Sequence, residues 1–95
     1  MAVAIVMDWD EGSLDQYDEV IGKMGFEHGG TGAPGGIFHW VAKNGDGIRV
    51  VDVWESREQF DKFAQEQIGP FSQEVGLSQP EMQFFEVHNY FTPGS

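Results

Sequence analysis

The chain has 95 residues, enough for one domain with a single core, and no cysteine, which removes disulfides, thiolate nucleophiles and cysteine-bound metal centres. Sixteen acidic side chains against five basic ones leave a net charge of −11, a balance that repels phosphate backbones and anionic membrane surfaces and argues against nucleic-acid or membrane partners. Eight Phe and three Trp supply ample material for a core, so the acidity reads as a solvated surface rather than as disorder.

Residues 2–9 predict a first strand, with Val3, Ile5, Met7 and Trp9 on one side and Ala2, Ala4 and Val6 on the other. Apolar side chains on both sides predict a central strand. The run is short, lacks a basic flank and meets Asp8, so it does not read as a signal peptide. No apolar run approaches the roughly 20 residues of a membrane span, and a soluble cytoplasmic protein is the expectation. Ser13 followed by Gln16 forms a capping box, and Leu14, Tyr17, Val20, Ile21 and Met24 then recur at helical spacing up to Gly25. Tyr17 is expected in the core with its hydroxyl reaching outward. Residues 26–36 are glycine-rich and match G-x-G-x-x-G at 30–35. A dinucleotide fingerprint needs a strand before and a helix after it; here the order is reversed and Pro34 intervenes, so the stretch reads as a flexible loop, a candidate lid, with His28 solvated.

Two runs rich in β-branched and aromatic residues, 37–43 and 48–54, flank the turn signal Asn44-Gly45-Asp46-Gly47. Centring the loop on Gly45-Asp46 places Ile37 opposite Trp54, His39 opposite Asp52 and Val41 opposite Val50, all on one face. The other face carries Phe38, Trp40 and Ala42 against Val53, Val51 and Arg49. Ser56 with Gln59 predicts a second capped helix, whose buried stripe is Phe60, Phe63, Ala64, Ile68 and Phe71. Gly69-Pro70 is expected to interrupt it, with a short helical turn at 71–75 ending at Gly76. The last strand is expected over 81–91, where Gln83, Phe85, Val87, Asn89 and Phe91 alternate with Met82, Phe84, Glu86, His88 and Tyr90, and residues 92–95 should fray.

The order strand–helix–strand–strand–helix–strand predicts a single α+β domain over residues 1–95. Its form is the ferredoxin-like βαββαβ fold: a four-stranded antiparallel sheet in the order 4-1-3-2 with two helices on one face. The purely apolar hairpin face, Phe38, Trp40, Val51 and Val53, is expected beneath the helices. The face with Ile37, His39, Val41, Val50, Asp52 and Trp54 would then lie bare, and a bare apolar sheet face of that size predicts a homodimer with a cavity between two sheets.

The stretch Val50-Val51-Asp52-Val53-Trp54-Glu55-Ser56, followed by Phe60 and Phe63, resembles a segment of the dimeric α+β barrel superfamily, in particular the antibiotic-biosynthesis-monooxygenase-like domains. The resemblance implies two such sheets pairing into a barrel. It also implies activities ranging from cofactor-independent oxygenation of polycyclic aromatics to heme degradation, polyketide cyclisation or no assigned reaction. Heme-degrading members carry a histidine on the second helix; this chain has none between His39 and His88, so that ligation is not expected and no cofactor is assigned.

His39 with Asp52 is the leading candidate for chemistry, since a carboxylate beside an imidazole fixes its tautomer and strengthens it as a general base. The same pair would also arise simply to satisfy two buried polar groups. Trp9, Ile37, Trp54, Phe84 and Tyr90 are candidate walls for a small apolar or aromatic molecule, or else packing at a dimer interface. Glu86 and His88 form a second pair on the last strand. A shared metal with His39 and Asp52 is disfavoured within one chain, because strands four and two lie three steps apart, roughly 14 Å at about 4.8 Å per step. Glu86 and His88 are therefore expected at the rim. The function that follows is a small-molecule-binding barrel, either an oxygenating or proton-transferring enzyme or a non-catalytic binding or structural dimer.

Overall fold

The computed structural model describes residues 1–93; Gly94 and Ser95, in the tail expected to fray, lie outside them. The elements run β1 Val3–Trp9, α1 Leu14–Met24, β2 Gly36–Asn44, β3 Gly47–Trp54, α2 Arg57–Phe63, a π-helical segment Ala64–Ile68, α3 Gly69–Glu74 and β4 Glu81–Glu86. One antiparallel sheet forms in the order β2-β3-β1-β4, the expected topology with β1 inside the sheet.

Local signals act as their chemistry requires. Ser13 Oγ accepts from the Gln16 N–H while the Gln16 side chain accepts from the Ser13 N–H, and Gly25 closes α1 in the left-handed conformation at φ 86°. Ser56 Oγ likewise accepts from the Gln59 N–H, but here the Gln59 side chain accepts from the Ser56 hydroxyl instead of its backbone. The hairpin turns through Gly45-Asp46, with Gly45 at φ 61° in the first central position.

Gly69-Pro70 does not break the second helical stretch. The Gly69 N–H reaches back five residues to the Ala64 carbonyl, and this widened turn carries the helix past a proline that lacks a donor and would crowd Glu66 in a straight α-helix. At the other end, β4 stops at Glu86 rather than running to Phe91. Its partner β1 begins at Val3, which faces Glu86, and after the Val87 N–H reaches the Ala2 carbonyl there is no strand left to pair with.

The two hairpin faces are reversed from the expectation. β1 decides the matter, because Ile5 lies beside Asp52, Met7 beside Val50 and Trp9 beside Ile48. This set of large side chains is buried with Val20, Phe60 and Leu77 beneath the helices. The alternate set, with Ala4, Val6 and Asp8 from β1, faces outward. Phe38 is 63 % and Phe85 51 % exposed there, and Trp40 is also exposed. The hairpin register holds from Asn44–Gly47 through His39–Asp52 to Phe38–Val53. A bulge then places Gly36, not Ile37, opposite Trp54.

Candidate functional site

The inner sheet face is not filled to its edge. Between β1–β3, α1 and the glycine-rich loop lies a cavity of about 570 Å³, walled by Met7, Trp9, Met24, Phe26, Trp54 and Phe63 among others. It lies within one chain, between sheet and helices, rather than between two sheets. Trp54 and Phe63 pack with ring centroids 5.1 Å apart, and Phe26 brings the start of the loop against Phe63. Such a volume and lining suit a small, mostly apolar molecule.

One polar chain enters this apolar wall. The Trp54 indole N–H donates to Asp52 Oδ2 at 3.1 Å, and Asp52 Oδ1 lies 2.5 Å from His39 Nδ1. The Asp52 side chain is only 7 % exposed, whereas that of His39 is 45 % exposed, so the ring leads from a buried charge toward the pocket's open side. A carboxylate can only accept, which makes His39 Nδ1 the donor to Asp52; in the neutral tautomer with that donor, Nε2 is an acceptor. Nε2 faces the hydroxyl of Tyr17 at 2.5 Å, and the two rings lie within 13° of parallel. Burial pushes the Tyr17 phenol up to about 12, and the carboxylates of Asp52 and Asp18 add to the rise. Tyr17 therefore stays an O–H donor at neutral pH. Among the described residues no buried side-chain N or O atom lacks a partner, so Asp52 is tolerated on the core face because both its oxygens are engaged.

The sequence candidates separate cleanly. His39, Asp52, Ile37, Trp9 and Trp54 all line the cavity. Phe84 shares the inner face but sits on the far edge strand, where it packs on Phe60 at 5.9 Å and beneath the Arg57 guanidinium at 3.5 Å. Glu86 ends β4, and His88 and Tyr90 lie beyond it, exposed. None of these four joins the cavity lining. Among the described residues no three His, Asp or Glu side chains gather as a metal site. His28 borders the cavity and pairs with Asp18 at 2.7 Å, holding the glycine-rich loop to α1. Tyr17 is the member that sequence reasoning missed. Its helical spacing marked it as core, and nothing in the sequence indicated that α1 would bring its hydroxyl to His39.

No protein-family model and no curated protein matches the sequence significantly. Solved structures match along nearly the whole chain. One is a Chloroflexus aurantiacus protein provisionally assigned as an antibiotic biosynthesis monooxygenase, at TM-score 0.65 and 17 % identity, covering 99 % of this chain and 100 % of that one. Another is SnoaB from Streptomyces nogalater, described as a cofactor-independent oxygenase, at TM-score 0.61 and 18 % identity over 97 % of each chain. The chain has the antibiotic-biosynthesis-monooxygenase-like fold. A third is a substituted form of MhuD with two manganese protoporphyrin IX molecules per active site, at TM-score 0.54 and 19 % identity, covering 98 % of this chain and 100 % of that one. Residues 57–74 of this chain contain no histidine, and the cavity's His39 and His28 are engaged by Asp52, Tyr17 and Asp18. The donor set thus does not fit a histidine-ligated heme held from the second helix. Among the described residues no helix is long and apolar enough to cross a membrane.

Proposed function

We propose that this chain is a cytoplasmic enzyme that takes a proton from a small, mostly apolar hydroxyaromatic substrate in the cavity between its sheet and helices, and that the reaction class is cofactor-independent oxygenation. The observation that carries this reading is the His39–Asp52 pair set into an aromatic wall. In this reading His39 is the base, Asp52 holds its tautomer and stabilises the imidazolium, and Trp54 both fixes Asp52 and forms the wall. Deprotonation yields an electron-rich phenolate or carbanion that reacts with dioxygen. At a ring methylene, one atom of O₂ becomes the carbonyl oxygen and the other leaves with the two displaced hydrogens as water. The likeness in fold to an oxygenase described as cofactor-independent supports that class.

The test is a thermal-shift screen against aromatic and hydroxyaromatic compounds, followed by oxygen uptake and product analysis on the hits. His39→Ala should lower turnover by about 10²–10⁴-fold. Unchanged turnover removes the assignment, and stabilisation by hits without any product favours a binding protein instead.

The same proposal includes a homodimer through the outer sheet face. Phe38, Trp40 and Phe85 are exposed there beside Val51 and Val53, with no further element of the described chain to cover them. A second copy would bury this face by a two-fold pairing of sheets. Sedimentation at micromolar concentration should give the mass of two chains; the mass of one would sink the pairing.

A further inference from the structure

His39 has no nitrogen free to face a ligand. Nδ1 is taken by Asp52 and Nε2 by the Tyr17 hydroxyl, each at 2.5 Å. A substrate hydroxyl in the cavity would have to displace Tyr17 to reach the ring. It need not, because the phenolic oxygen donates its one proton to Nε2 and keeps lone pairs for a second partner. Tyr17 itself borders the cavity.

We propose that the Tyr17 hydroxyl is the group that meets the substrate, relaying its proton to His39, and that the substrate is a neutral phenol or enol rather than an aromatic acid. This rests on the reading of His39 as the base. In the step, the substrate O–H bond breaks as a new O–H bond forms on Tyr17. The original Tyr17 O–H bond breaks as an N–H bond forms on His39 Nε2. One proton moves from substrate to imidazole, Tyr17 ends neutral, and the substrate anion is left accepting a hydrogen bond from Tyr17 while Asp52 faces the imidazolium.

Two observations fit a relay. Tyr17 resists ionisation, since burial and the charges of Asp52 and Asp18 raise its phenol, so the positive charge comes to rest on the ring beside Asp52 and not as an anion on Tyr17. The titratable groups around the site are Asp52, Asp18, Glu27 and His28 besides Tyr17 and His39. Three of these are carboxylates, in a chain of net charge −11. A ligand that arrives as a carboxylate meets like charge, whereas a neutral phenol enters unhindered and ionises only on contact with the relay.

The experiment uses 2-naphthol and 2-naphthoate as probes with the whole chain. Optical titration of bound 2-naphthol follows its ionisation in the unsubstituted protein, Tyr17→Phe and His39→Gln. A charge-assisted hydrogen bond and a proton acceptor are lost together in Tyr17→Phe, so its bound naphthol should show an ionisation constant about tenfold smaller, as should His39→Gln. Loss in His39→Gln with no change in Tyr17→Phe overturns the relay but keeps His39 as a base in direct contact. No change in either variant overturns both the relay and the base. Failure of 2-naphthol to bind, or equal binding of 2-naphthoate, overturns the substrate class and the relay with it. The unsubstituted protein gives a readout that depends on no variant. The ring ¹⁵N signal of His39 Nε2 should move to the protonated position when 2-naphthol binds, at a pH where it is unprotonated in the free protein. An Nε2 that stays unprotonated overturns the transfer.

Discussion

The two faces of the sheet invert a familiar contrast. The covered face holds a carboxylate and an imidazole, while the bare face offers Phe38, Trp40 and Phe85 to solvent beside the Asp8–Arg49 pair, Glu81 and Gln83. Within the hairpin, polarity alone would have placed the helices over the other side. What decides is which face gathers the larger apolar area across neighbouring strands, and whether the polar groups caught beneath the helices can all be paired. On the inner face both conditions are met: Ile5, Met7, Trp9 and Trp54 supply the area, and the Trp54 and His39 donors satisfy Asp52. On the outer face Arg49 reaches Asp8 with two nitrogens, at 2.7 and 2.9 Å, which leaves the aromatic residues as the feature still without a partner.

Matched truncations give the largest test of that contrast. Phe60→Ala, on the inner side of α2 and 1 % exposed, should cost about 3–5 kcal/mol in chemical denaturation. Phe85→Ala should change the stability of a single chain by only about 0.5 kcal/mol and show itself instead in how the unfolding midpoint depends on protein concentration. Equal losses would erase the distinction between the faces. Next comes the buried carboxylate. Trp54→Phe strips Asp52 Oδ2 of its donor while keeping most of the ring volume, and should cost about 1–3 kcal/mol. A near-neutral result would mean that Asp52 is better solvated than its burial implies.

The pH limbs of stability distinguish the faces at a smaller scale. The Tyr17 phenol is raised from 10.0 to about 12 in the folded chain, so the unfolded chain loses that proton first. The stability linked to it is fully present below about pH 10 and is lost as the pH rises toward 12. After allowance for solvent at the half-buried site this amounts to about 1–2 kcal/mol, which Tyr17→Phe should abolish. An identical alkaline limb in the variant would show that the phenol is solvated. On the outer face the sign is opposite. The Arg49 side chain holds the Asp8 carboxyl below its ordinary 3.8, so the linked stability is present above that value and lost as pH falls through the folded value. Arg49→Gln should shallow the acid limb, the smallest of these effects, and an unchanged limb would mean that the pair contributes nothing measurable.

Much of this was legible in the residues. Caps at Ser13 and Ser56, the Asn44–Gly47 turn and the period-two runs on either side lead directly to the element order, and the turn alone sets His39 opposite Asp52. What was not legible depended on partners from elsewhere in the chain. The inward face of the hairpin is decided by β1, the end of β4 by where β1 begins, and the role of Tyr17 by how α1 lies across β2. Extending one alternation through residue 91 sets Phe84, Glu86, His88 and Tyr90 on a single face. The strand stops at Glu86, and Phe84 belongs to a different aromatic cluster, with Phe60 and Arg57. The bulge before Phe38 likewise moves Ile37 out of its pair with Trp54 without removing it from the cavity wall.

The π-helical turn has a consequence for how this chain can change in length. Its hydrogen bond from Gly69 to Ala64 spans one residue more than an α-helical turn. Deleting a single residue between Ala64 and Ile68 would restore ordinary helical spacing and so set the Pro70 ring against the carbonyl four residues before it. Ser72 and Leu77, which border the cavity, lie just beyond that proline. The extra residue gives the proline its clearance, so through this segment the number of residues is as strictly specified as their kind.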